Sequence, residues 1–221
     1  MLTQNPPSLT FSKILCPQSI ARSLGGRLPP KGSKIGLLGG SFNPAHKAHC
    51  QISKEALVHL GLNEVWWLVS PQNPLKDTKG MAPLPDRVES ALSIPKHPKI
   101  RVTTIESQIG SVFTADTLSR LKQIFPLVNF TWLMGADNLS QISRWRDWQD
   151  IFSTVKVAVF ARPGYSLPST NSEAAQRFKN ARVPENKARS LQKCSVPAWT
   201  IIHGQQLDIS STAIRNGKHK K

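Results

Sequence analysis

The segment that most restricts the fold is Ile35-Gly-Leu-Leu-Gly-Gly-Ser-Phe-Asn-Pro-Ala-His-Lys-Ala-His49. Its apolar run Ile35–Leu38 reads as a strand buried on both faces. Gly39-Gly40 reads as the turn that follows, a place where backbone can approach a ligand. Pro44 precedes an apolar pattern at Ala45, Ala48, Ile52, Ala56 and Leu60 that has helical spacing. A strand, a tight turn and a helix in fifteen residues commit the chain to a βα unit. His46 and His49, three apart, share one face at the helix start. Unpaired N–H groups and the positive end of the helix dipole already attract phosphate there, and two imidazoles add donors.

A late segment, Ile209-Ser-Ser-Thr-Ala-Ile-Arg215, repeats this logic. Ser210, Ser211 and Thr212 are hydroxyl donors and candidate helix caps. Arg215 follows one turn after Ser211, and a guanidinium can grip a phosphate through two bonds. A polyphosphate held between the two helix starts is the reading of both segments together. Arg215 as a solvated helix residue stays open at this point.

The alternation continues along the chain. Strands are expected at Glu64–Val69, 100–104, 129–134, 155–160 and 198–203. Helices are expected from Pro85 through Ile94 and from Thr114, acting as cap, to Phe125. Repeated βα units imply an α/β protein, a Rossmann-like doubly wound parallel sheet of about five to six strands with helices on both faces. Ligands of such sheets bind beyond the carboxyl ends of the strands, where both motifs, Asn73 and Asp137 would meet. Residues 163–194, rich in Ser, Asn, Lys and Arg, are expected to be a surface loop with a short helix near 173–181.

The expected division is an N-terminal extension over 1–33, a single domain over 34–217 and a basic tail over 218–221. The extension carries Pro6-Pro7, Gly25-Gly26 and Pro29-Pro30 and has no acidic residue, a composition shared with organellar transit peptides. A bacterial extension or an early start codon is the reading favoured here, with a cytoplasmic location. No apolar run is long enough to span a membrane. Cys16, Cys50 and Cys194 are odd in number and far apart, which argues against a disulfide framework. No Cys/His spacing suggests a metal site, so no metal ligand is assigned. With 29 Lys and Arg against 13 Asp and Glu, the net charge is +16. Such charge permits nucleic-acid binding. The basic residues are scattered, however, without interleaved aromatics, and the reading is against a nucleic-acid partner.

Gly-Gly-Ser-Phe-Asn-Pro-x-His-x-x-His with a later Ile-Ser-Ser-Thr-x-x-Arg resembles the nucleotidylyltransferase superfamily, and within it the bacterial nicotinate-nucleotide adenylyltransferases. Asn73-Pro-Leu-Lys76, Phe113-Thr-Ala-Asp-Thr-Leu118, Gly135-Ala-Asp-Asn-Leu139, Trp145 and Arg162-Pro-Gly-Tyr165 add to the resemblance, which covers about residues 34–217. It implies adenylyl transfer from ATP to nicotinate mononucleotide, giving nicotinate adenine dinucleotide and pyrophosphate in NAD biosynthesis. It implies catalytic roles for His46 and His49. ATP contacts would come from Gly39, Gly40, Ser41, Phe42, His46, His49, Asp137, Ser210, Ser211 and Arg215. Mononucleotide contacts would come from Lys76, Thr114 and Trp145, and Mg²⁺ would arrive with ATP. By spacing alone, Asp137 is equally a helix cap; the resemblance points it at a ribose.

The chain departs from the family pattern at Ala48, where glycine is usual, and at Phe113, where an aromatic hydroxyl is common. Beyond Arg215 relatives usually continue with another helix, and here a short Lys/His tail follows. The alternatives are an adenylyltransferase for nicotinamide mononucleotide or phosphopantetheine, a fragment of an aminoacyl-tRNA synthetase, and a basic nucleic-acid-binding protein without activity. No Lys-Met-Ser-Lys-Ser segment supports the synthetase reading.

Overall fold

A computed structural model describes residues 17–71, 80–94, 97–161, 171–204, 209, 211–215 and 217. Six strands form one sheet: β1 Lys34–Gly40, β2 Glu64–Val69, β3 Ile100–Thr103, β4 Asn129–Gly135, β5 Lys156–Phe160 and β6 Trp199–Ile202. Every strand pairing is parallel, in the order β3-β2-β1-β4-β5-β6. The expected doubly wound α/β sheet is therefore present. Its order reverses between β1 and β4, the point at which such sheets open a crevice outside their carboxyl ends.

The inner strands are largely apolar because helices cover both faces, whereas edge strand β3 reads Ile-Arg-Val-Thr. Alternate residues supply two cores. One contains Leu37, Trp66, Phe130, Trp132, Val157 and Ile201. The other contains Leu38, Trp67, Val69, Leu133, Ala158 and Ile202. Helix α2 (Lys47–His59) lays Cys50, Ile52 and Ala56 on the second face. Ser53, also buried, is satisfied by accepting the Trp67 indole N–H at 2.8 Å and donating to the His49 carbonyl at 2.8 Å. Helices α3 (Leu84–Ser93), α4 (Ile105–Ile109), α5 (Thr114–Ile124), α6 (Ala136–Leu139) and α7 (Trp148–Thr154) fill the connections between strands.

Three expectations change. Gly39-Gly40 is not a turn: β1 continues through both, opposite Leu68 and Val69 of β2. A Cβ on Gly39 would lie 2.3 Å from the Trp132 ring, so that glycine makes room for an indole. The extension expected over 1–33 is packed from residue 17 onward. Helix α1 (Pro17–Ser23) and the turn after it bury Ile20 and Leu24 in the first core. Arg101 donates to the carbonyls of Leu24 and Arg27, each at 2.8 Å, and pairs with Glu64 at 2.7 Å, as Arg27 does at 2.6 Å. Residues 1–16 lie outside the described residues.

The stretch 163–194, expected as a surface loop with a short helix near 173–181, has that helix, but its described part packs into the cores and is not a surface loop. Helix α8 (Glu173–Arg177) and two 3₁₀ segments, Lys179–Ala181 and Glu185–Lys193, bury Ala174, Ala175, Ala188 and Leu191. Phe178 stacks on Phe152 with centroids 4.4 Å apart. The final helix is α9 (Ser211–Arg215). No helix among the described residues is long and apolar enough to cross a membrane.

Candidate active site

The two motifs meet physically. After β1 the chain passes Ser41 and Phe42 and enters α2 with His46 as N-cap. Phe42 adopts a left-handed backbone (φ 48°) that turns its ring inward, where it stacks on Trp67 at 5.2 Å and touches the His49 ring at 4.7 Å. A buried ring cannot hold ATP by its side chain, so any contact from Phe42 is through backbone. The other motif closes over this loop. Ser211 donates to the Pro44 carbonyl at 2.9 Å, and Arg215 donates to the Asn43 carbonyl and, at 3.3 Å, to Thr212. Residues 167 and 172 positions apart are thus joined at one corner. The Arg215 guanidinium belongs first to the loop backbone, in addition to any phosphate.

His46 and His49 have ring centroids 3.8 Å apart. The His46 backbone N–H donates to His49 Nδ1 at 3.1 Å. An accepting Nδ1 is unprotonated, so His49 carries its proton on Nε2. The helix start thereby orients one imidazole as a fixed Nε2–H donor. This is sharper than the expectation of two equivalent donors: His46 is buried, His49 half-buried.

A cavity of about 350 Å³ opens beside this corner. Gly39, Gly40 and Ser41 form one wall, and Thr114 and Trp145 stand on another. The expected ATP loop and two of the expected mononucleotide residues therefore share one cleft. Thr114 is the first residue of α5, not its cap; Phe113 holds the cap position. Asp137 lies in the first turn of α6, directly after β4, and Gly135 takes the cap position. Its neighbour Asn138 lines the cavity. Lys76, Asn73, Tyr165 and Ser210 lie outside the described residues.

Sequence reasoning assigned nothing to four side chains that shape this site. Asn43 donates to the Gly80 carbonyl at 3.0 Å and accepts from Ala82 N–H at 3.3 Å. Arg87, 2% exposed, donates to the carbonyls of Ser41, Ser70, Pro71 and Ala82 at 2.7–3.0 Å. It pins the loops after β1 and β2 together. Arg146 lines the cavity with its guanidinium 4.7 Å from the Phe113 ring centre. Glu106 is a buried acid in the cavity wall, with its pKa pushed up to about 7 by burial. Only Asn43 had a visible signal, its place inside the histidine motif.

The family model of cytidylyltransferase-like proteins matches residues 37–217. A protein of Roseobacter denitrificans named "probable nicotinate-nucleotide adenylyltransferase" is 46% identical over 84% of this chain and 92% of its own length. One of the same name from Methylorubrum extorquens is 49% identical over 82% of this chain and 98% of its own. The chain belongs to the nicotinate-nucleotide adenylyltransferase family. The Plasmodium falciparum nicotinic acid mononucleotide adenylyltransferase complexed with NaAD shares the fold, with a TM-score of 0.64 over 83% of each chain at 18% identity. In this family member the fold places the histidine corner at the sheet's switch point and the cavity beside it.

Proposed function

We propose that the protein transfers the adenylyl group of ATP to nicotinate mononucleotide, releasing pyrophosphate. The observation that carries this reading is the junction of the two motifs, with Ser211 and Arg215 bonded to the Asn43–Pro44 backbone beside the oriented His49. The names of the relatives at 46–49% identity agree with it.

In the reaction, an oxygen of the mononucleotide phosphate forms a bond to the α-phosphorus of ATP. The bond from that phosphorus to the bridging oxygen of the β-phosphate breaks, and its electron pair leaves on pyrophosphate. The nucleophile is already an anion, so no protein base is required. Catalysis then rests on alignment and on stabilising charge as it builds. Ser41 and the start of α2 hold the triphosphate. The Nε2–H of His49, fixed in direction, donates to the oxygen that gains charge, and His46 holds the helix start that orients it. Ser211 and Arg215 close the loop and face the departing pyrophosphate. Asp137, after β4, receives the ribose. Thr114 and Trp145 receive the pyridine, with Trp145 offering a ring face for stacking.

Among the described residues no cluster of three His, Cys, Asp or Glu is placed to hold a metal. Mg²⁺ would arrive with ATP, and the chemistry it would supply is neutralisation of phosphate charge. Pyrophosphate release from ATP, measured with each pyridine mononucleotide in turn, tests the reading: release should depend on the nicotinate acceptor.

A further inference from the structure

Glu106 stands out because nothing in adenylyl transfer requires a buried acid in the cleft wall. It lies on α4, is 6% exposed and lines the cavity near Phe113 and Thr114. Its Oε1 accepts from Thr117 Oγ1 at 3.2 Å. Thr117 Oγ1 is also 3.1 Å from Ser111 Oγ, which donates to the Phe113 carbonyl at 3.1 Å. The Phe113 carbonyl in turn accepts the Thr117 N–H at 3.0 Å. Two hydroxyls thus connect the acid to the peptide that starts α5, the helix whose first residue is Thr114. The second oxygen, Oε2, makes no hydrogen bond of full geometry, although the Ser70 hydroxyl faces the same carboxyl.

We propose that Glu106 determines acceptor specificity: as a neutral acid it admits an anionic carboxylate on the pyridine ring, and as a carboxylate it repels that anion while leaving a neutral amide unaffected. The proposal rests on the pyridine mononucleotide reading of the cleft. Burial disfavours the charged form, and the Thr117 and Ser70 hydroxyls oppose it only in part, which brings the acid to about 7. Elements packed against α4 are α1, β2 and α5. Their charged groups are Arg22, Glu64, Asp116, Arg120 and Lys122, and Arg144 and Arg146 stand on the cavity wall. Arg120 donates to the Ile109 carbonyl and Glu64 pairs with Arg27 and Arg101. None of these charges is a cause of the displaced titration, so the acid responds to pH through its own burial. An ordinary pyridine carboxylate stays ionised throughout pH 6 to 8.5. The pH dependence therefore belongs to the protein.

The test compares kcat/KM for nicotinate mononucleotide with kcat/KM for nicotinamide mononucleotide at saturating ATP, from pH 6 to 8.5. Both acceptors share the titration of their phosphate, so their ratio removes it. In the wild type the ratio should fall by roughly tenfold across this range, the size of a like-charge penalty of about 1.4 kcal/mol. The fall should appear in KM for the acid, with kcat and KM for ATP unchanged. Glu106→Gln, neutral at every pH and of the same shape, should flatten the ratio at its low-pH value. A flat wild-type ratio, or the same fall in Glu106→Gln, overturns the role of Glu106 alone. A wild type that transfers adenylyl to neither mononucleotide overturns the proposed function and this inference together.

Discussion

Replacing Arg87 with methionine removes the guanidinium that holds the phosphate loop and keeps most of the side chain's length. Four backbone carbonyls, those of Ser41, Ser70, Pro71 and Ala82, lose a charged donor at once. Among the described residues no carboxylate pairs with this guanidinium, and burial holds its pKa below the usual value. Hydrogen bonds to charged groups contribute about 1.5–3 kcal/mol each. The four cannot all be counted in full, because Arg87 itself is desolvated and the wild type bears that cost. Water can also reach carbonyls at a loop surface. The net loss should then be about 3–5 kcal/mol, below the sum of four such bonds. For a domain of this size each kcal/mol lowers Tm by about 2–4 °C, so the variant should melt roughly 6–20 °C below wild type. Ser41 is one of the released carbonyls, so kcat/KM should fall as well, even below the new Tm. Arg87→Lys, with one ammonium that cannot span four acceptors in a plane, should fall between the two. Denaturant unfolding with circular dichroism, beside steady-state kinetics, measures both effects. An Arg87→Met variant within 1 kcal/mol of wild type and fully active would refute the claim that this residue fixes the loops.

Two further outcomes follow from the same geometry. His49→Ala should lower kcat by roughly a hundredfold or more, the scale for losing one oriented transition-state donor, with kcat at saturating ATP as the readout. Deleting residues 2–33 should cost several kcal/mol, because burying side chains such as Ile20 and Leu24 contributes about 1.5–3 kcal/mol each; thermal unfolding of that truncation against wild type checks it, and an unchanged Tm would show that α1 does not belong to the core.

How much of this was legible in the sequence depended on whether a residue's neighbours in space were also its neighbours in the chain. The inner strands announced themselves because both faces are buried, leaving apolar runs such as Val65-Trp66-Trp67-Leu68-Val69. The histidine corner was legible for the same local reason: cap, dipole and imidazoles lie within a few residues. Gly39 misled because glycine after an apolar run ordinarily means a turn, whereas here its missing side chain accommodates Trp132 from another strand. The stretch around Ala174 and Leu191 looked solvated because it is rich in Ser, Asn, Lys and Arg. Its burial comes from residues far away in sequence: Phe152 lies in one core with Ala174 and Ala175, and Leu60 and Ala158 lie in the other with Ala188 and Leu191. Arg87 and Glu106 gave no signal at all. A lone charge on a helix carries no mark of its depth, and only the sheet's topology shows that one faces four carbonyls and the other a cleft.

The central claim is that the joined motifs move an adenylyl group and not a terminal phosphate. ATP labelled at its α-phosphorus, incubated with the full chain, Mg²⁺ and nicotinate mononucleotide, tests this most directly. The account predicts that label appears in the dinucleotide, that pyrophosphate is released unlabelled in equal amount, and that both stop when the acceptor is withheld. Label recovered only in ADP or AMP, or pyrophosphate released without any acceptor, would contradict it.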